Sequence, residues 1–496
     1  MPRVSPLILV LLMVLMSGWA VWGGACSGAG EPRSSQREAG APDRASELME
    51  ALSGRSASAA RAAIAEILEA RDERFAAVFI ELMRAAQVGL AAPPAYADSV
   101  DALGVLTGET FGPDWSEWVR WYAAADLAPP PGFTGWKGRL LAGIDPSFAE
   151  FLRDDVPSRI RVEEVIWGGV ALDGIPALDG PKLVDAEEAG YLQDDDPVFG
   201  IALAGDARAY PLRILDWHEM INDVVGGVPV SLAYCTLCGA GIAYDGRGPD
   251  GETYTFGSSG LLMRSNKLMY DRQTRTLWNQ FTGEPVLGPL AAGERRLRIL
   301  PAVVTRWGDW RAQHPETRVL DIDTGHARSY HPGAAYAGYF ASPETLFPVV
   351  ERKDLLPSKA RIFGLQVGGI AKAYPLDRLT AEGVVNDEVG GAPVVLVATR
   401  GLLEVEGESV RSGPARYRAG AEVRAFGRAD WRFSAGGDAD TLVDEAGRPW
   451  RVTEAALVGK AGERLPRLDG FVSYWFGWNA FHPKTLVWGA GALPLD

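Results

Sequence analysis

An internal repeat is the feature that most restricts how this chain can fold. The segment VFGIALAGDARAYPL at 198–212 returns as IFGLQVGGIAKAYPL at 362–376, an offset of 164 positions, and the similarity extends to a WRAQHP or WNAFHP tail. Self-similarity at a fixed offset indicates a duplicated structural unit. We therefore predict two β-rich copies, 198–320 and 362–488, which superpose with the same strand order about a pseudo-twofold axis.

The residue pattern within both copies favours strands. Short β-branched and aromatic runs are separated by Gly, Pro and Asp, which is typical of strands and turns. The first segment predicts a hairpin with Gly205-Asp206 at its turn. Neither copy alternates strands with long helices, as a doubly wound nucleotide-binding fold requires. The predicted fold class is α+β, mainly β, with a pocket in the cleft between the copies.

A helical module is predicted ahead of the repeat, at residues 45–128. Apolar residues such as Ala63 and Ile67 recur there at helical spacing. The segment LGVLTGETFGPDWSEWVRWYAA resembles the last helix pair of HEAT-like repeats, and the module is either a spacer or a partner-binding surface. A Pro-Pro-Pro-Gly run then ends the helical pattern. We assign the first β-rich copy to 129–345 and the second, degenerate copy to 346–496.

The N-terminus predicts export. A positive charge, a short apolar run and Gly-Gly-Ala before Cys26 indicate a signal peptide at 1–26 with a lipobox-like end, although Gly23 stands where such signals usually have Leu. The polar stretch 27–44 has almost nothing to bury and predicts a flexible linker. We expect the protein to be exported to the cell envelope or periplasm. Lipidation of Cys26 would anchor it there to a membrane. Ordinary secretion is the alternative.

Charge and motif content exclude several function classes. The formal net charge is −15 and the pI is near 5.0, whereas a nucleic-acid partner requires a basic surface to neutralise phosphates. The sequence has no GxSxG, P-loop or dinucleotide-binding fingerprint. Hydrolase, kinase and NAD-dependent activities therefore have no positive support.

The two copies differ in their reactive side chains. His218, Cys235 and Cys238 lie within one short stretch of a chain that has only five His and three Cys. At the 164-residue offset the second copy has Glu, Thr and Leu in these places. Features shared by both copies serve the common scaffold, whereas features of one copy are candidates for function. The three residues lost together therefore form the predicted site.

The first copy also resembles a known family. The segments WHEMIND, YCTLCGAG, SGLLMRSNKLMYDRQT and WNQFTGEPVLG are similar to those of the domain of unknown function 3179 family. The resemblance covers roughly residues 166–320. Because the family has no assigned activity, the resemblance by itself implies none for this chain. Some members resemble selenoproteins, with selenocysteine in a cysteine-type motif. That resemblance implies thiol redox chemistry more than a structural metal knot.

A thiol oxidoreductase is the preferred interpretation of the site. One thiol of a CxxC pair commonly has a depressed pKa and is a thiolate at neutral pH. Here Cys235 would attack, Cys238 would resolve the mixed disulfide, and His218 would tune the thiolate from close contact. The partner would be a redox protein or a small-molecule substrate.

Two alternatives remain open from the sequence. The same Cys235, Cys238 and His218 provide three soft ligands for copper or zinc, with a fourth position open or filled by another side chain. The candidates for that fourth ligand are His326, His331 and Met269. The other alternative is a non-enzymatic scaffold in which the two cysteines form a structural disulfide.

Polar residues downstream of the CxxC pair are expected to line the same pocket. Asn266, Arg272, Gln280 and Thr282 offer hydrogen-bond donors and acceptors. Asp271 is expected to be structural, because an Asp also stands near the matching place of the second copy.

Overall fold

The computed structural model describes residues 44–350 and 355–489. The predicted signal peptide, most of the linker and Cys26 lie outside the described residues. Helices fill the first part: α1 (Arg44–Ser53), α2 (Ala57–Ala70), α3 (Ala76–Gln87), α4 (Pro94–Thr107), α5 (Trp115–Ala124), α6 (Phe133–Leu141) and α7 (Ser147–Phe151). None of the helices in these two ranges is both long and apolar enough to cross a membrane.

The helices begin where polar side chains satisfy free backbone N–H groups. The Ser56 hydroxyl accepts from the Ala59 N–H at the start of α2, and the Asp114 carboxylate accepts from Ser116 and Glu117 at the start of α5. Helix α3 is buried at nearly every position and forms the centre of this module. The predicted helical module is therefore present, and its HEAT-like character stays a prediction.

Sheets make up most of the first β-rich region. Its strands are β1 (Val165–Trp167), β2 (Leu178–Asp179), β3 (Leu183–Asp185), β4 (Pro197–Leu203), β5 (Asp206–Pro211), β6 (Met220–Val225), β7 (Val228–Cys235), β8 (Ala240–Asp245), β9 (Phe256–Met263), β10 (Asn266–Asp271), β11 (Leu277–Asn279), β12 (Pro285–Leu287), β13 (Ile299–Leu300), β14 (Val303–Arg306) and β15 (Arg318–Leu320). Three short helices accompany them, α8 (Leu212–His218), α9 (Trp307–Gln313) and α10 (Ala337–Ala341). The strands form three five-stranded sheets, in the orders β1-β9-β10-β11-β12, β13-β8-β7-β6-β2 and β14-β4-β5-β15-β3.

The second β-rich region follows with β16 (Arg361–Val367), β17 (Ile370–Pro375), α11 (Leu376–Glu382), β18 (Val384–Val389), β19 (Ala392–Val397), β20 (Leu402–Ser409), β21 (Gly413–Ala421), β22 (Arg424–Gly427), β23 (Phe433–Ala435), β24 (Thr441–Asp444), β25 (Pro449–Val452), β26 (Ala456–Gly459), β27 (Arg464–Leu468), β28 (Gly470–Tyr474), α12 (Trp475–Phe481) and β29 (Leu486–Val487). Its sheets have the orders β28-β16-β17-β29, β18-β19-β22-β27-β26-β25-β24-β23 and β20-β21. The described chain is thus α+β and mainly β, as the sequence predicts.

The repeat recurs in local detail. Hairpin β4–β5 pairs Phe199 with Tyr210, and hairpin β16–β17 pairs Phe363 with Tyr374. The hairpin turn in the first copy lies between Leu203 and Asp206, one residue earlier than predicted. A short helix follows each hairpin, and a later strand then pairs parallel to its second strand. Superposition of the complete copies stays a prediction that these local matches support.

Matching hydrogen bonds accompany the matching strands. The Tyr210 hydroxyl donates to the Asp223 carboxylate at 2.8 Å, and the Tyr374 hydroxyl donates to Asp387 at the same distance. In α9 the Trp310 indole N–H donates to the Thr317 hydroxyl, and in α12 the Trp478 indole N–H donates to the Thr485 hydroxyl, seven residues later in each case. These contacts occur in both copies and serve the scaffold.

The copies diverge after the fourth strand of each repeat, β7 in the first and β19 in the second. In the first copy β7 turns directly into its partner β8 through the CxxC segment. In the second copy the β20–β21 hairpin stands between β19 and its partner β22. The inserted hairpin packs on α10, in the segment that joins the two copies. The turn that carries the cysteines in one copy is therefore replaced by a hairpin in the other.

One hydrophobic core is shared by the two copies. It contains Phe199 and Val304 of the first and Ile362 and Trp478 of the second. A cavity of about 20 Å³, which is room for about one water molecule, lies between the copies among apolar residues. The interface predicted to hold a cleft is closely packed at this point.

Two glycines test the scaffold equivalence. A Cβ at Gly200 would lie 2.3 Å from the Trp310 ring, and a Cβ at Gly364 would lie 2.3 Å from the Trp478 ring. We expect Gly200→Ala and Gly364→Ala each to lower the free energy of unfolding by roughly 3 kcal/mol, because overpacking forces the ring and strand apart. Gly190→Ala, which has open space around the added methyl, is the control. Urea unfolding measures all three, and tolerance of only one of the two core substitutions would contradict the equivalence.

Candidate functional site

The two cysteines are brought together by a tight turn. Strand β7 ends at Cys235, which pairs in register with Ala240 at the start of β8. Gly239 has φ +56, and a Cβ there would lie 2.2 Å from a guanidinium nitrogen of Arg361. The Arg361 side chain also donates to the Gly239 carbonyl at 2.9 Å. A positive φ and this close cation make glycine the suitable residue after Cys238.

Both cysteines are free thiols and almost wholly buried. The Cys238 thiol lies 3.4 Å from the Ser265 carbonyl oxygen and also within hydrogen-bonding reach of the Cys235 sulfur. The Asn266 amide donates to the Cys238 sulfur at 3.5 Å. The pair is therefore two free thiols within hydrogen-bonding reach of each other.

The environment separates the two thiols electrostatically. Burial opposes ionisation of Cys235, but hydrogen bonds from the Cys238 thiol and from the Lys267 and Cys238 N–H groups outweigh it and lower the pKa of Cys235. Burial raises the pKa of Cys238 well above its usual value, and the hydrogen bond that it shares with Cys235 raises it further. Cys235 thus ionises first and Cys238 holds its proton.

A buried ion pair that the sequence analysis missed lies beside the dithiol. The Glu219 carboxylate accepts from the Thr236 hydroxyl at 2.9 Å and lies 3.0 Å from the Lys267 ammonium. Glu219 is 6% exposed and Lys267 3%. Glu219 lies within electrostatic reach of both cysteines. The signal that could have found it is its repeat partner, which is glycine at 383.

His218 lies next to Glu219 in the chain but faces other groups. Its Nδ1 is 2.8 Å from the Pro176 carbonyl oxygen and its Nε2 is 2.6 Å from the Tyr330 hydroxyl. Burial lowers the pKa of His218 to about 4, so the ring is neutral near pH 7. A carbonyl only accepts, so Nδ1 carries the proton and Nε2 accepts from Tyr330. Each ring nitrogen of His218 is hydrogen-bonded to an oxygen atom. Neither nitrogen therefore forms the predicted contact with a cysteine sulfur.

A segment between the two copies lies over the cysteine turn. We call residues 330–348 the covering segment. The Tyr339 hydroxyl donates to the Leu237 carbonyl at 2.6 Å, and the Ser265 hydroxyl donates to the Pro348 carbonyl at 3.4 Å. The Lys359 ammonium donates to the Ser342 carbonyl at 2.7 Å and so holds the same segment from the other side. These contacts help to keep the dithiol out of water.

The second copy completes the enclosure. The Tyr474 N–H donates to the Cys238 carbonyl at 2.7 Å. A Cβ at Gly477 in helix α12 would lie 3.4 Å from the Cys238 sulfur and 2.9 Å from the Phe281 ring. The close approach explains a glycine within that helix, where glycine otherwise costs about 1 kcal/mol relative to alanine. The degenerate copy is therefore a wall of the site.

The predicted pocket residues divide into two groups. Asn266 donates to the Gln280 side chain at 2.8 Å, and Gln280 donates to the carbonyls of Ala233 and Ala240 on the two strands that flank the cysteine turn. Arg272 instead forms an ion pair with Asp179 at a partly exposed edge. Asn266 and Gln280 brace the cysteine turn, and Arg272 does not belong to it.

The remaining predicted residues have structural contacts. Thr282 takes part in a turn, in which its N–H donates to the Asn279 side chain at 3.1 Å. The Asp271 carboxylate accepts from an indole N–H at 2.8 Å, and the Asp444 carboxylate of the second copy does the same at 3.0 Å. This supports a scaffold role for Asp271.

Among the described residues, the side chains proposed as copper or zinc ligands do not come together as one set. In residues 44–350 and 355–489 there is no group of three or more His, Cys, Asp or Glu side chains arranged to hold a metal ion. His326 lies against the His218 ring, with centroids 5.1 Å apart, and His331 bonds to Ser329 and to the Glu408 carbonyl. Met269 is buried in an aromatic core cluster.

Comparisons with known proteins give a family and no more. The model of the family described as protein of unknown function DUF3179 matches residues 172–485, which is more than half of the chain and includes every residue of the dithiol site. No curated protein and no solved structure matches the chain.

The neutral, buried His218 predicts acid sensitivity. Because its pKa is about 4 when folded and about 6.5 when unfolded, the unfolded chain binds the extra proton between these values. Stability should therefore fall as the pH drops from 6.5 to 4, by about 3 kcal/mol for this group. Urea unfolding across that range should show a shallower loss for His218→Gln and an unchanged loss for His331→Gln, an exposed histidine. Equal slopes for His218→Gln and the parent protein would contradict the assignment.

Proposed function

Since the chain belongs to the DUF3179 family of proteins of unknown function, we propose that it is a thiol–disulfide oxidoreductase. The reacting groups are Cys235 and Cys238. The observation that carries the proposal is one tight turn that holds two buried, free thiols within hydrogen-bonding reach of each other. This arrangement gives an attacking cysteine a neighbour that can resolve a mixed disulfide.

The reaction divides the two roles between the cysteines. The Cys235 thiolate attacks one sulfur of a substrate disulfide, forming a mixed disulfide and releasing the other half as a thiolate that takes up a proton. Cys238 then loses its proton and attacks the Cys235 sulfur, which releases the second half of the substrate as a thiol. The protein dithiol becomes a disulfide and the substrate disulfide becomes two thiols. A thiol reductant reverses the sequence.

Burial explains why the second step would be fast and selective. The Cys238 thiol is already within hydrogen-bonding reach of Cys235, so that the resolving group is held close to the sulfur that it attacks. Asn266 holds the Cys238 sulfur from one side and Gly477 allows α12 to close the other. Tyr339 holds the covering segment on the cysteine turn through its hydrogen bond to the Leu237 carbonyl. Substrate therefore reaches Cys235 when that segment moves aside.

Export forms part of the proposal. A dithiol enzyme outside the cytoplasm meets disulfide substrates that the reducing cytosol removes. We infer that Cys26 carries the lipid anchor and that the linker holds the folded part near the membrane. Mass spectrometry of the mature N-terminus tests this, with lipidated Cys26 expected and an unmodified Cys26 or cleavage elsewhere contradicting it.

Serine substitutions test the division of roles. With glutathione disulfide as substrate, Cys235→Ser should abolish turnover because it removes the nucleophile. Cys238→Ser should accumulate one glutathione per chain on Cys235, since nothing resolves the mixed disulfide. Intact-mass and peptide mass spectrometry measure both outcomes.

The second copy provides a matched control for these variants. Thr399 is the repeat partner of Cys235, and its hydroxyl donates to the Ala439 carbonyl. Thr399→Ser should leave turnover unchanged. The proposal fails if Cys238→Ser forms no adduct, or if the adduct forms on Cys238 in the Cys235→Ser variant with parental turnover.

A further inference from the structure

The residue between α8 and β6 has a backbone conformation that is strained for any residue other than glycine. Glu219 has φ +56, a conformation that costs a non-glycine residue about 1 kcal/mol or more. Its repeat partner Gly383 has φ +70 at the same junction. The glycine there shows that the scaffold is satisfied without a side chain.

The backbone contacts of these two residues are the same. The N–H of Glu219 donates to Leu215 at 2.8 Å and that of Gly383 donates to Leu379 at 2.9 Å. The Glu219 carbonyl accepts from the Tyr234 N–H in β7, and the Gly383 carbonyl accepts from the Ala398 N–H just after β19, both at 2.7 Å. Since the backbone role is equal, the glutamate side chain in the first copy has a separate purpose.

That side chain is also costly to bury. Removing a carboxylate and an ammonium from water costs several kcal/mol for each ion, and a close ion pair recovers this only in part. Glu219 and Lys267 are both buried, and the Lys267 ammonium has no hydrogen bond of good geometry within the described chain. Strain and a buried charge pair in one place are typical of functional sites.

The pair is positioned to act on the attacking thiol. The Lys267 backbone N–H donates to the Cys235 sulfur, and the Glu219 carboxylate acts electrostatically on the same sulfur. In the second copy the glutamate is absent together with both cysteines. Other ionisable groups around the cysteine turn are the hydroxyls of Tyr336, Tyr339 and Tyr474 and the guanidinium of Arg361.

We propose that Glu219 and Lys267 are positioning residues of the dithiol, in which the carboxylate, held at the cysteine turn by Thr236, acts on the Cys235 sulfur and the ammonium paired with it offsets its charge. The ammonium favours the thiolate and the carboxylate opposes it. The balance provides Cys235 thiolate without lowering the pKa of the thiol so far that the thiolate becomes a weak nucleophile. This inference rests on the proposed function.

Opposite charge changes give the test. Glu219→Gln should lower the pKa of the Cys235 thiol, because the ammonium is then unopposed, and Lys267→Met should raise it. The pH dependence of Cys235 alkylation by iodoacetamide, followed by peptide mass spectrometry, measures both. Each single variant should change the alkylation rate at pH 7 about tenfold, in opposite directions. The double variant should return close to the parent rate.

Two further variants separate charge from folding. Glu219→Gly copies the second copy and relieves the strained φ, so it should raise thermal stability while still speeding alkylation. Asp271→Asn removes a buried carboxylate from the same strand as Lys267, and should lower stability without changing the pKa of Cys235. A purely structural role for Glu219 predicts parallel changes in stability and reactivity.

Failure of this inference is distinguishable from failure of the proposed function. If the parent protein forms the Cys235–Cys238 disulfide reversibly but Glu219→Gln and Lys267→Met shift the thiol pKa in the same direction or not at all, the positioning role is wrong. If the parent protein forms no such disulfide, the oxidoreductase is wrong whatever the charge variants show.

Discussion

The enclosure of two thiols between the halves of an internal repeat is the constraint on which the site depends. The Tyr474 N–H of the second copy donates to the Cys238 carbonyl, and Gly477 lets helix α12 reach the Cys238 sulfur. Exclusion of water strengthens every charge and hydrogen bond within reach of the dithiol. The second copy is therefore a wall of the dithiol site, although it has no counterparts of the two cysteines.

The repeat also separates scaffold from function in the structure. Tyr210 with Asp223 and Tyr374 with Asp387 make the same hydrogen bond, so this contact stabilises a hairpin in either copy. The Glu219 position is different, because the same backbone conformation carries a glycine in the second copy. Comparison within one chain thus identifies a residue whose side chain the fold does not need.

The sequence predicted what depends on local pattern. The hairpin at 198–212 and the mainly β class both follow from short β-branched and aromatic runs that Gly, Pro and Asp separate. The joint absence of His218, Cys235 and Cys238 from the second copy predicted one site, and the role of that site stays a prediction. Asn266 and Gln280 were expected near it and do brace it.

The rest depends on directions and distances that a sequence does not contain. His218 was favoured because histidine is scarce, but the end of α8 directs its ring to Pro176 and Tyr330. The left-handed backbone one residue later sends Glu219 to the dithiol instead. Lys267 and the second-copy wall reach the site through tertiary contacts, which no local spacing records.

The most direct test of this account is the redox equilibrium of the dithiol in the folded parent protein. The protein would be incubated in glutathione buffers of graded potential and the fraction of Cys235–Cys238 disulfide measured by mass spectrometry after acid quenching. We expect a single reversible two-electron transition, reached equally from the oxidised and the reduced side, with a tenfold change in the equilibrium ratio for each step of about 30 mV. A pair that stays reduced, or that once oxidised cannot be reduced without unfolding, would contradict the account.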